Sequence, residues 1–352
     1  MTSFKIKNRP IGINQTPFII AEMSGNHNNS FEQALGIVHA AAKTGADAVK
    51  LQTYTADTIT INAESDDFVI SNPNSLWTRR TLYDLYDEAS TDWEWIKQIM
   101  AEAEKLDLIC FSSVFDETSV DFMEDLNAGA YKIASFENNH LPLIRKAAST
   151  GKPIIISTGI ASEDEIHEAV EAARNGGCMQ LALLKCTSDY PADPAASNLM
   201  TIPHMKETFG CEVGLSDHTL GIGVPVASVA LGATIIEKHF ITDRNLGGVD
   251  ASFSADISEM SQLVAEATNA WKALGSVSFD LSENEQRNTQ FKRSIYAVAD
   301  IKAGEPFSLE NIRVIRRDTA CTHGIMMNCW VRLRIEILFL VSLLICQKSD
   351  VC

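Results

Sequence analysis

The chain is short of positive charge. Its 29 lysine and arginine residues stand against 46 aspartate and glutamate residues, which gives a formal net charge of −17. A surface this acidic repels nucleic acid and anionic membranes, so we expect neither as a partner. An anionic substrate would therefore need local positive charge, supplied by lysines and a metal inside a cleft.

The sequence also lacks segments that direct a chain to or across a membrane. Residues 1–20 contain no charged segment followed by an apolar one, so secretion is not expected. The apolar block Ile335–Cys346 is too short and too interrupted to span a bilayer as a helix. Four cysteines lie mostly within apolar runs, as buried thiols of a reducing cytoplasm do, and we expect a cytoplasmic protein. They are Cys110, Cys178, Cys186 and Cys211.

Short apolar runs alternate eight times with helical patterns through the first 275 residues. Nearly continuous apolar runs are typical of parallel strands buried on both faces. The runs are Phe18–Met23, Ala48–Tyr54, Leu108–Val114, Ala130–Phe136, Pro153–Gly159, Leu181–Thr187, Val213–Thr219 and Thr234–Phe240. The clearest helical patterns are Phe31–Thr44, Trp93–Leu106, Ser162–Asn175 and Ile257–Leu274. Eight uninterrupted βα units predict an α/β fold of the TIM (β/α)8 barrel type.

A doubly wound open sheet is the alternative fold. It would need a topological switch point and usually a glycine-rich first turn. The first turn here, Met23–Asn28, contains one glycine and no phosphate-binding fingerprint. The barrel is therefore favoured.

Several segments lie outside the eight units. Residues 4–13 resemble a small hairpin that could close the floor of the barrel, within a barrel domain of residues 1–275. Residues 55–90 form a long loop on the catalytic rim, where such loops usually bind substrate. Residues 276–292 are mostly polar and predict a linker. Residues 293–307 predict a strand, a turn and a strand that open a second domain.

Polar residues recur at the carboxyl end of all eight predicted strands. In chain order they are Glu22, Asn26, His27 and Asn28; Lys50 and Gln52; Ser112 and Ser113; Lys132 and Ser135; Ser157 and Thr158; Lys185, Thr187, Ser188 and Tyr190; Ser216 and His218; and Glu237 and His239. A single serine or lysine at such a position is often a turn residue or an exposed residue. Strand ends converge on one mouth of a barrel, however, so the recurrence indicates an active site there.

The chemistry of these residues favours two neighbouring sites. Lysines among several hydroxyls suit a phosphate, because they supply charge and directed donors. The imidazoles of His218 and His239, at the ends of consecutive strands, can together hold one divalent metal that is not fully enclosed. A phosphate site beside an open metal site predicts phosphoryl or enol chemistry rather than hydride transfer.

Several short motifs together resemble the sialic acid synthase family over residues 14–317. They are Glu22–Asn28, Lys50–Thr53, Tyr131–Ser135, Ser157–Gly159, Cys186–Thr187, Tyr190–Pro191, Gly214–Thr219 and Glu237–Phe240. The Met-Ser-Gly form of the first motif and the segment Ser75–Tyr86 are more similar to the pseudaminic acid branch than to the N-acetylneuraminate branch.

The resemblance implies a synthase that condenses phosphoenolpyruvate with an open-chain acetamido sugar and releases phosphate by C–O cleavage. It implies that Mn or Mg on His218 and His239 polarises the sugar aldehyde, and that Glu22 positions or deprotonates the water that attacks carbon 2. A base with this role should have a pKa near neutrality. The sugar would contact Gln52, Tyr190 and Asp250. The residues implied for phosphoenolpyruvate are Lys50, Ser113, Lys132, Ser135, Ser157, Ser188 and Ser216.

The pseudaminic acid branch implies 2,4-diacetamido-2,4,6-trideoxy-altropyranose as the sugar. A loop with Trp77 and Tyr83 could cover its apolar methyl group. The product class would serve cell-surface polysaccharides and flagellin glycosylation. Two alternatives remain open: an N-acetylneuraminate or legionaminate synthase, and a barrel that binds a sugar or phosphate without turnover.

The family also has a small C-terminal domain of the antifreeze type (SAF). It caps the partner's barrel in an exchanged homodimer and supplies an arginine, which the resemblance carries onto Arg316. In this sequence Arg317 and Asp318 replace the usual Pro-Gly. We therefore expect residues 293–320 to form a partial, truncated SAF domain, and residues 321–352 to be an atypical tail.

Overall fold

A computed structural model of the chain describes residues 4–73 and 75–316. The chain divides into two compact units, Met1–Gly275 and Ser276–Cys352. In the first unit the eight predicted strands form a closed, parallel barrel, so the predicted TIM barrel is confirmed and the open sheet is excluded. The barrel strands are β3 (Phe18–Glu22), β4 (Ala48–Thr53), β5 (Ile109–Val114), β6 (Tyr131–Ile133), β7 (Ile154–Ser157), β8 (Leu181–Cys186), β9 (Glu212–Asp217) and β10 (Ile235–His239).

Helices follow the strands and form an outer layer. Their bounds are α1 (Phe31–Thr44), α2 (Ala56–Ile59), α3 (Leu82–Ala89), α4 (Trp93–Lys105), α5 (Glu117–Asp125), α6 (Leu141–Ser149), α7 (Glu163–Asn175), α8 (Thr201–Phe209), α9 (Gly223–Ala230) and α10 (Ile257–Leu274). A further helix, α11 (Glu283–Asn288), belongs to the second unit. Helix α7 begins after Ser162, whose side chain accepts a hydrogen bond from the Glu165 amide, and the Glu165 side chain completes a capping box. None of the described helices is long and apolar enough to cross a membrane.

The interior of the barrel is apolar at its amino end and polar at its carboxyl end. Apolar side chains such as Phe18, Phe111 and Ile235 fill the lower layer. The predicted hairpin is present as β1 (Lys5–Ile6) and β2 (Arg9–Pro10), which pair antiparallel. Phe4, Ile6 and Ile11 join the lower layer, so this hairpin closes the floor of the barrel, as predicted.

Parallel pairing sets the polar upper layer in register. Across neighbouring strands His239 pairs with Glu22 and Glu22 pairs with Lys50. Ser216 pairs with Glu237 in the same way. Because side chains alternate between the two faces of a strand, this register decides which strand-end residues face the interior.

The described residues of the second unit contain a short helix and one pair of strands. Residues 276–292 contain α11, which begins after Ser282 with a capping box closed by Glu285. The strand β11 (Ser294–Ala297) pairs antiparallel with β12 (Ile312–Ile315), so the prediction of a second strand within residues 293–307 was wrong. The intervening chain turns at 302–305, where the Glu305 amide donates to Lys302 O, and Pro306 has no amide to donate to a strand partner.

Candidate active site

A cavity of about 530 Å³ opens at the carboxyl end of the barrel strands. Its floor is formed by ends of the barrel strands, and its wall includes residues of the 55–90 loop. Concave sites that combine an apolar wall with a few convergent polar groups are the usual form of a ligand site. This cavity therefore holds the candidate active site.

Four charged side chains form the floor of the cavity, and we call them the floor cluster: Glu22, Lys50, Lys132 and Glu237. Lys50 Nζ lies 2.5 Å from Glu22 Oε2 and 3.7 Å from Glu237 Oε1. Lys132 Nζ lies 3.8 Å from the same Glu237 oxygen. The four side chains are at most 7% exposed. Charges this deeply buried need partners, and each lysine also donates to a serine hydroxyl.

The two carboxyl groups of the floor cluster have different pKa values. Burial raises the pKa of Glu22 to about 7, although Lys50 acts in the opposite direction. Burial also opposes ionisation of Glu237, but Lys132 and Lys50 hold its pKa below the usual value. Gln52 Nε2 donates to Glu22 Oε1 at 2.9 Å and holds that carboxyl in place. Glu22 therefore has the pKa near neutrality that its implied role requires, and Glu237 remains the charged partner of the lysines.

The two histidines face one another at the rim of the same cavity. Their ring centroids are 5.3 Å apart. Nδ1 of His218 lies 2.8 Å from the carbonyl oxygen of Thr187, which can only accept, so Nδ1 carries a proton and Nε2 is the nitrogen left for a metal. Burial of the ring lowers the pKa of His239 well below the usual value, and the electrostatic interaction with His218 acts in the same direction. His239 is therefore neutral at neutral pH, as a metal ligand must be.

The donor set suits an open metal site. Within residues 4–73 and 75–316 no group of three or more His, Cys, Asp and Glu side chains is close enough to hold a metal. Two imidazoles would thus bind the ion from the protein side, and water or substrate would complete its coordination. Catalytic metal sites keep positions of this kind open.

Tyr190 and Asp250 complete the wall beside the histidines. The Tyr190 ring lies 4.4 Å from the His218 ring. Asp250 Oδ2 accepts a hydrogen bond from the Gly25 amide at 3.3 Å. Both residues line the cavity, so the structure brings them together with the metal-ligand candidates.

Comparisons with known proteins agree with this geometry. A family profile described as "NeuB family" matches residues 37–279. The chain belongs to the NeuB family. It is 46% identical over 299 residues to a pseudaminic acid synthase of Campylobacter jejuni subsp. jejuni serotype O:2, covering 85% of this chain and 87% of that protein. A pseudaminic acid synthase of Helicobacter pylori is 41% identical over 303 residues, covering 86% and 88%.

A solved structure of the same kind confirms the fold of this NeuB-family chain. It is the N-acetylneuraminic acid synthetase of Leptospira borgpetersenii serovar Hardjo-bovis in complex with citrate, with a TM-score of 0.72 and 30% identity. The match covers 82% of this chain and 96% of that one. The resemblance inferred from the short motifs is thereby confirmed.

The predicted serines divide into two groups. Ser135, Ser157, Ser188 and Ser216 line the cavity. Ser113 is fully buried and does not line it; its hydroxyl accepts a hydrogen bond from Lys50 Nζ at 2.8 Å. Ser113 can therefore act on a ligand only by holding Lys50.

Other strand-end residues lie away from the cavity because they belong to the outer face of their strands or to a buried turn. Ser112 bonds to Thr53 at 2.6 Å, and Lys185 donates to the carbonyl oxygen of Cys186 at 2.7 Å. Thr158 donates to the carbonyl oxygen of Leu184. His27 is fully buried and bonds to Thr91, so its role is structural.

The 55–90 loop supplies the apolar wall. Trp77 lines the cavity, donates from Nε1 to Val249 O at 3.0 Å, and lies 5.9 Å from the Tyr190 ring. Tyr83 does not line it; its hydroxyl donates to Asp57 instead. The assignment of Tyr83 to the wall was wrong, because helix α3 turns other residues inward. The aliphatic residues of this loop on the wall are Ile59, Ile70, Leu76, Leu82, Leu85 and Ala89.

Glu137 is the main residue that the sequence reasoning missed. It lines the cavity, and its Oε2 is buried without a hydrogen-bond partner among the described residues. Burial raises its pKa to about 7, against the effect of Lys132. The available signal was its position two residues after Ser135, in the loop that follows β6. Tyr54, Tyr86 and Phe115 line the cavity and were missed as well.

The predicted arginine lies in the second unit. Arg316 directly follows β12 and is exposed. Arg317, Asp318 and the predicted tail of residues 321–352 lie outside the described residues. The SAF-type domain and the exchanged dimer therefore stay predictions.

Proposed function

We propose that this protein condenses phosphoenolpyruvate with the open-chain aldehyde of 2,4-diacetamido-2,4,6-trideoxy-altropyranose and releases phosphate by C–O cleavage. One observation carries the proposal. Two buried lysines, Lys50 and Lys132, converge on the floor of a cavity whose rim presents His218 and His239. The names of the pseudaminic acid synthases that this chain is similar to support the same reaction.

The floor cluster is suited to an enol phosphate. Phosphoenolpyruvate carries a carboxylate and a phosphate, and two lysines with serine hydroxyls can hold both groups in a dry site. Ser135, Ser157, Ser188 and Ser216 supply directed donors at the same depth. Lys50 and Lys132 thus supply the local positive charge that an anionic ligand needs in a chain with an acidic surface.

His218 and His239 would hold a divalent metal, Mn or Mg, through the nitrogens that face away from their Nδ1 partners. When bound, the metal polarises the aldehyde of the sugar as a Lewis acid. The surrounding protein orients that sugar: Tyr190 and Asp250 flank the histidines, and Gln52 lies beside Glu22.

Two carboxyl groups with pKa values near neutrality can move the protons. Carbon 3 of the enol attacks the aldehyde, which leaves positive charge at carbon 2. Glu22 accepts a proton from the water that adds to carbon 2. The resulting tetrahedral carbon expels phosphate, whose bridging oxygen takes the proton of the carbon-2 hydroxyl as that hydroxyl becomes a carbonyl. Glu137, with its buried and unpartnered oxygen, would protonate the alkoxide formed at the former aldehyde carbon.

The apolar wall favours a 6-deoxy, diacetamido sugar. Methyl groups can pack against Trp77 and the aliphatic residues of the 55–90 loop, whereas a hydroxyl there would lose its partners in water. An apolar pocket rejects an added hydroxyl only about 100-fold, so we expect a preference of that order over a 6-hydroxy sugar.

The test is phosphate release with phosphoenolpyruvate, Mn and each of three sugars: the proposed altropyranose, N-acetylmannosamine and a legionaminic-type precursor. We expect the first to turn over fastest. Turnover should be lost in His218→Ala and kept in His204→Ala, an exposed histidine on α8 that does not line the cavity. Faster turnover of another sugar would assign another synthase. Ligand-induced thermal stabilisation without product would assign a binding protein.

Three finer features belong to the same proposal. The protein acts in the cytoplasm, in keeping with thiols that are free among the described residues. It forms a homodimer in which the second unit of each chain caps the partner's barrel. In that dimer Arg316 contacts the substrate of the partner subunit. The product of the reaction supplies cell-surface polysaccharide or flagellin glycosylation.

A further inference from the structure

Ser24 occupies an unusual position at the end of β3. Its φ angle is 46°, in the left-handed region that residues other than glycine seldom adopt. The side chain is almost fully buried, and its Oγ lies 3.0 Å from Nδ1 of His239. A strained backbone thus places this hydroxyl against one of the two metal-ligand candidates.

A second contact holds the same turn in place. The amide of Gly25, the next residue in the chain, donates to Asp250 Oδ2 at 3.3 Å. The short helix Ser24–His27 is thus tied to the cavity wall at Asp250, and the Ser24 hydroxyl stays against the imidazole of His239.

We infer that Ser24 is a positioning residue for His239: its hydroxyl oxygen accepts from Nδ1–H of the imidazole and so leaves Nε2 with the free lone pair. The carbonyl oxygen of Thr187 does the same for His218. Both rings are therefore held in the tautomer that presents Nε2 to a metal. The inference rests on the proposed function only in taking the ligand to be a divalent metal.

Two substitutions separate the hydroxyl from the backbone strain. Ser24→Ala removes the hydroxyl and keeps a Cβ at the positive φ, whereas Ser24→Gly removes the hydroxyl and the strain together. Loss of an outer-shell hydrogen bond lowers metal affinity about 10- to 100-fold. We expect both variants to show that loss in a manganese titration followed by electron paramagnetic resonance. Ser258→Ala, an exposed serine on α10, should change the Kd less than twofold.

The tautomer can be read without metal. Nitrogen-15 NMR of the metal-free, full-length chain should show His239 protonated at Nδ1, with the signal assigned by its loss in His239→Gln. Both Ser24 variants should show a mixture of tautomers. A proton on Nε2 in the unaltered chain, or Ser24 variants with unchanged Kd and tautomer, would overturn the inference. If the unaltered chain bound no manganese, the metal in the proposed function would fail, and the tautomers alone would decide the role of Ser24.

Discussion

A buried ion pair lies directly behind the two histidines, and breaking it should weaken the barrel. Lys238 Nζ lies 2.6 Å from Asp217 Oδ2, and both side chains are 2% exposed. The two residues are in direct register on β10 and β9, each one position before a histidine. The other Asp217 oxygen accepts from the Thr219 amide and hydroxyl, and Lys238 also donates to Thr219 O.

Lys238→Met keeps the length of the side chain but leaves the Asp217 carboxylate without its cation. Removing one partner of a buried pair costs about 3–5 kcal/mol of the free energy of unfolding, because the remaining charge is desolvated and unpaired. For a domain of this size about 1 kcal/mol lowers Tm by roughly 2–4 °C. We therefore expect a fall in Tm of roughly 6–20 °C, measured by thermal unfolding.

The double variant Asp217→Asn/Lys238→Met removes both charges, and an asparagine oxygen can still accept from Thr219. Its Tm should therefore lie above that of Lys238→Met alone. The control is Lys105→Met, which breaks the ion pair of Lys105 with Glu102 at 2.8 Å on the exposed surface of α4. Surface pairs contribute about 0–1 kcal/mol. Equal Tm shifts for Lys238→Met and Lys105→Met, or a double variant less stable than the single one, would refute the reasoning.

Three further predictions concern the cavity. Glu137→Gln should be about as stable as the unaltered chain at pH 4 and more stable at pH 8. The folded-state pKa of about 7 lies above the unfolded value of 4.5, so the stabilising contribution of Glu137 is lost as pH rises from 4.5 to 7, and an equal Tm difference at both pH values would count against this. Trp77→Ala should raise KM for the sugar about tenfold or more and leave KM for phosphoenolpyruvate unchanged, because the lost area faces only the wall. Lys132→Met should raise the Kd for phosphoenolpyruvate, measured by calorimetry, about 10- to 100-fold, because a hydrogen bond from a charged donor is lost. Lys185→Met, on the next strand but one, should leave this Kd unchanged, because Lys185 donates to a backbone carbonyl. Similar losses in both variants would show that the two lysines do not differ in role.

The fold was predictable because its signals are local. Each strand is a short apolar run, and the observed strand bounds lie within three residues of the predicted ones. The face of each strand was harder to predict, because moving one residue along a strand reverses the side on which its side chain lies. Lys132 and Lys185 both lie within predicted strands that end in polar residues, yet of these two lysines only Lys132 lines the cavity.

The rest of the site depends on contacts between distant parts of the chain. The pairing of β11 with β12 joins segments that no local pattern connects, so the second strand was predicted too early in the chain, within residues 293–307. The carboxyl of Glu137 becomes important through its burial in the wall of the cavity, which composition alone does not show. Ser24 contacts a histidine 215 positions away in the chain, across the closing strand pair of the barrel.

The most direct test of the proposed reaction is the fate of one oxygen atom. Phosphoenolpyruvate would be labelled with oxygen-18 in the atom that bridges carbon 2 and phosphorus, and supplied with Mn and the diacetamido sugar. Cleavage of the C–O bond predicts that the label leaves in the phosphate while the sugar product gains an unlabelled oxygen from water. Label retained in the sugar product, or no phosphate released at all, would contradict the account.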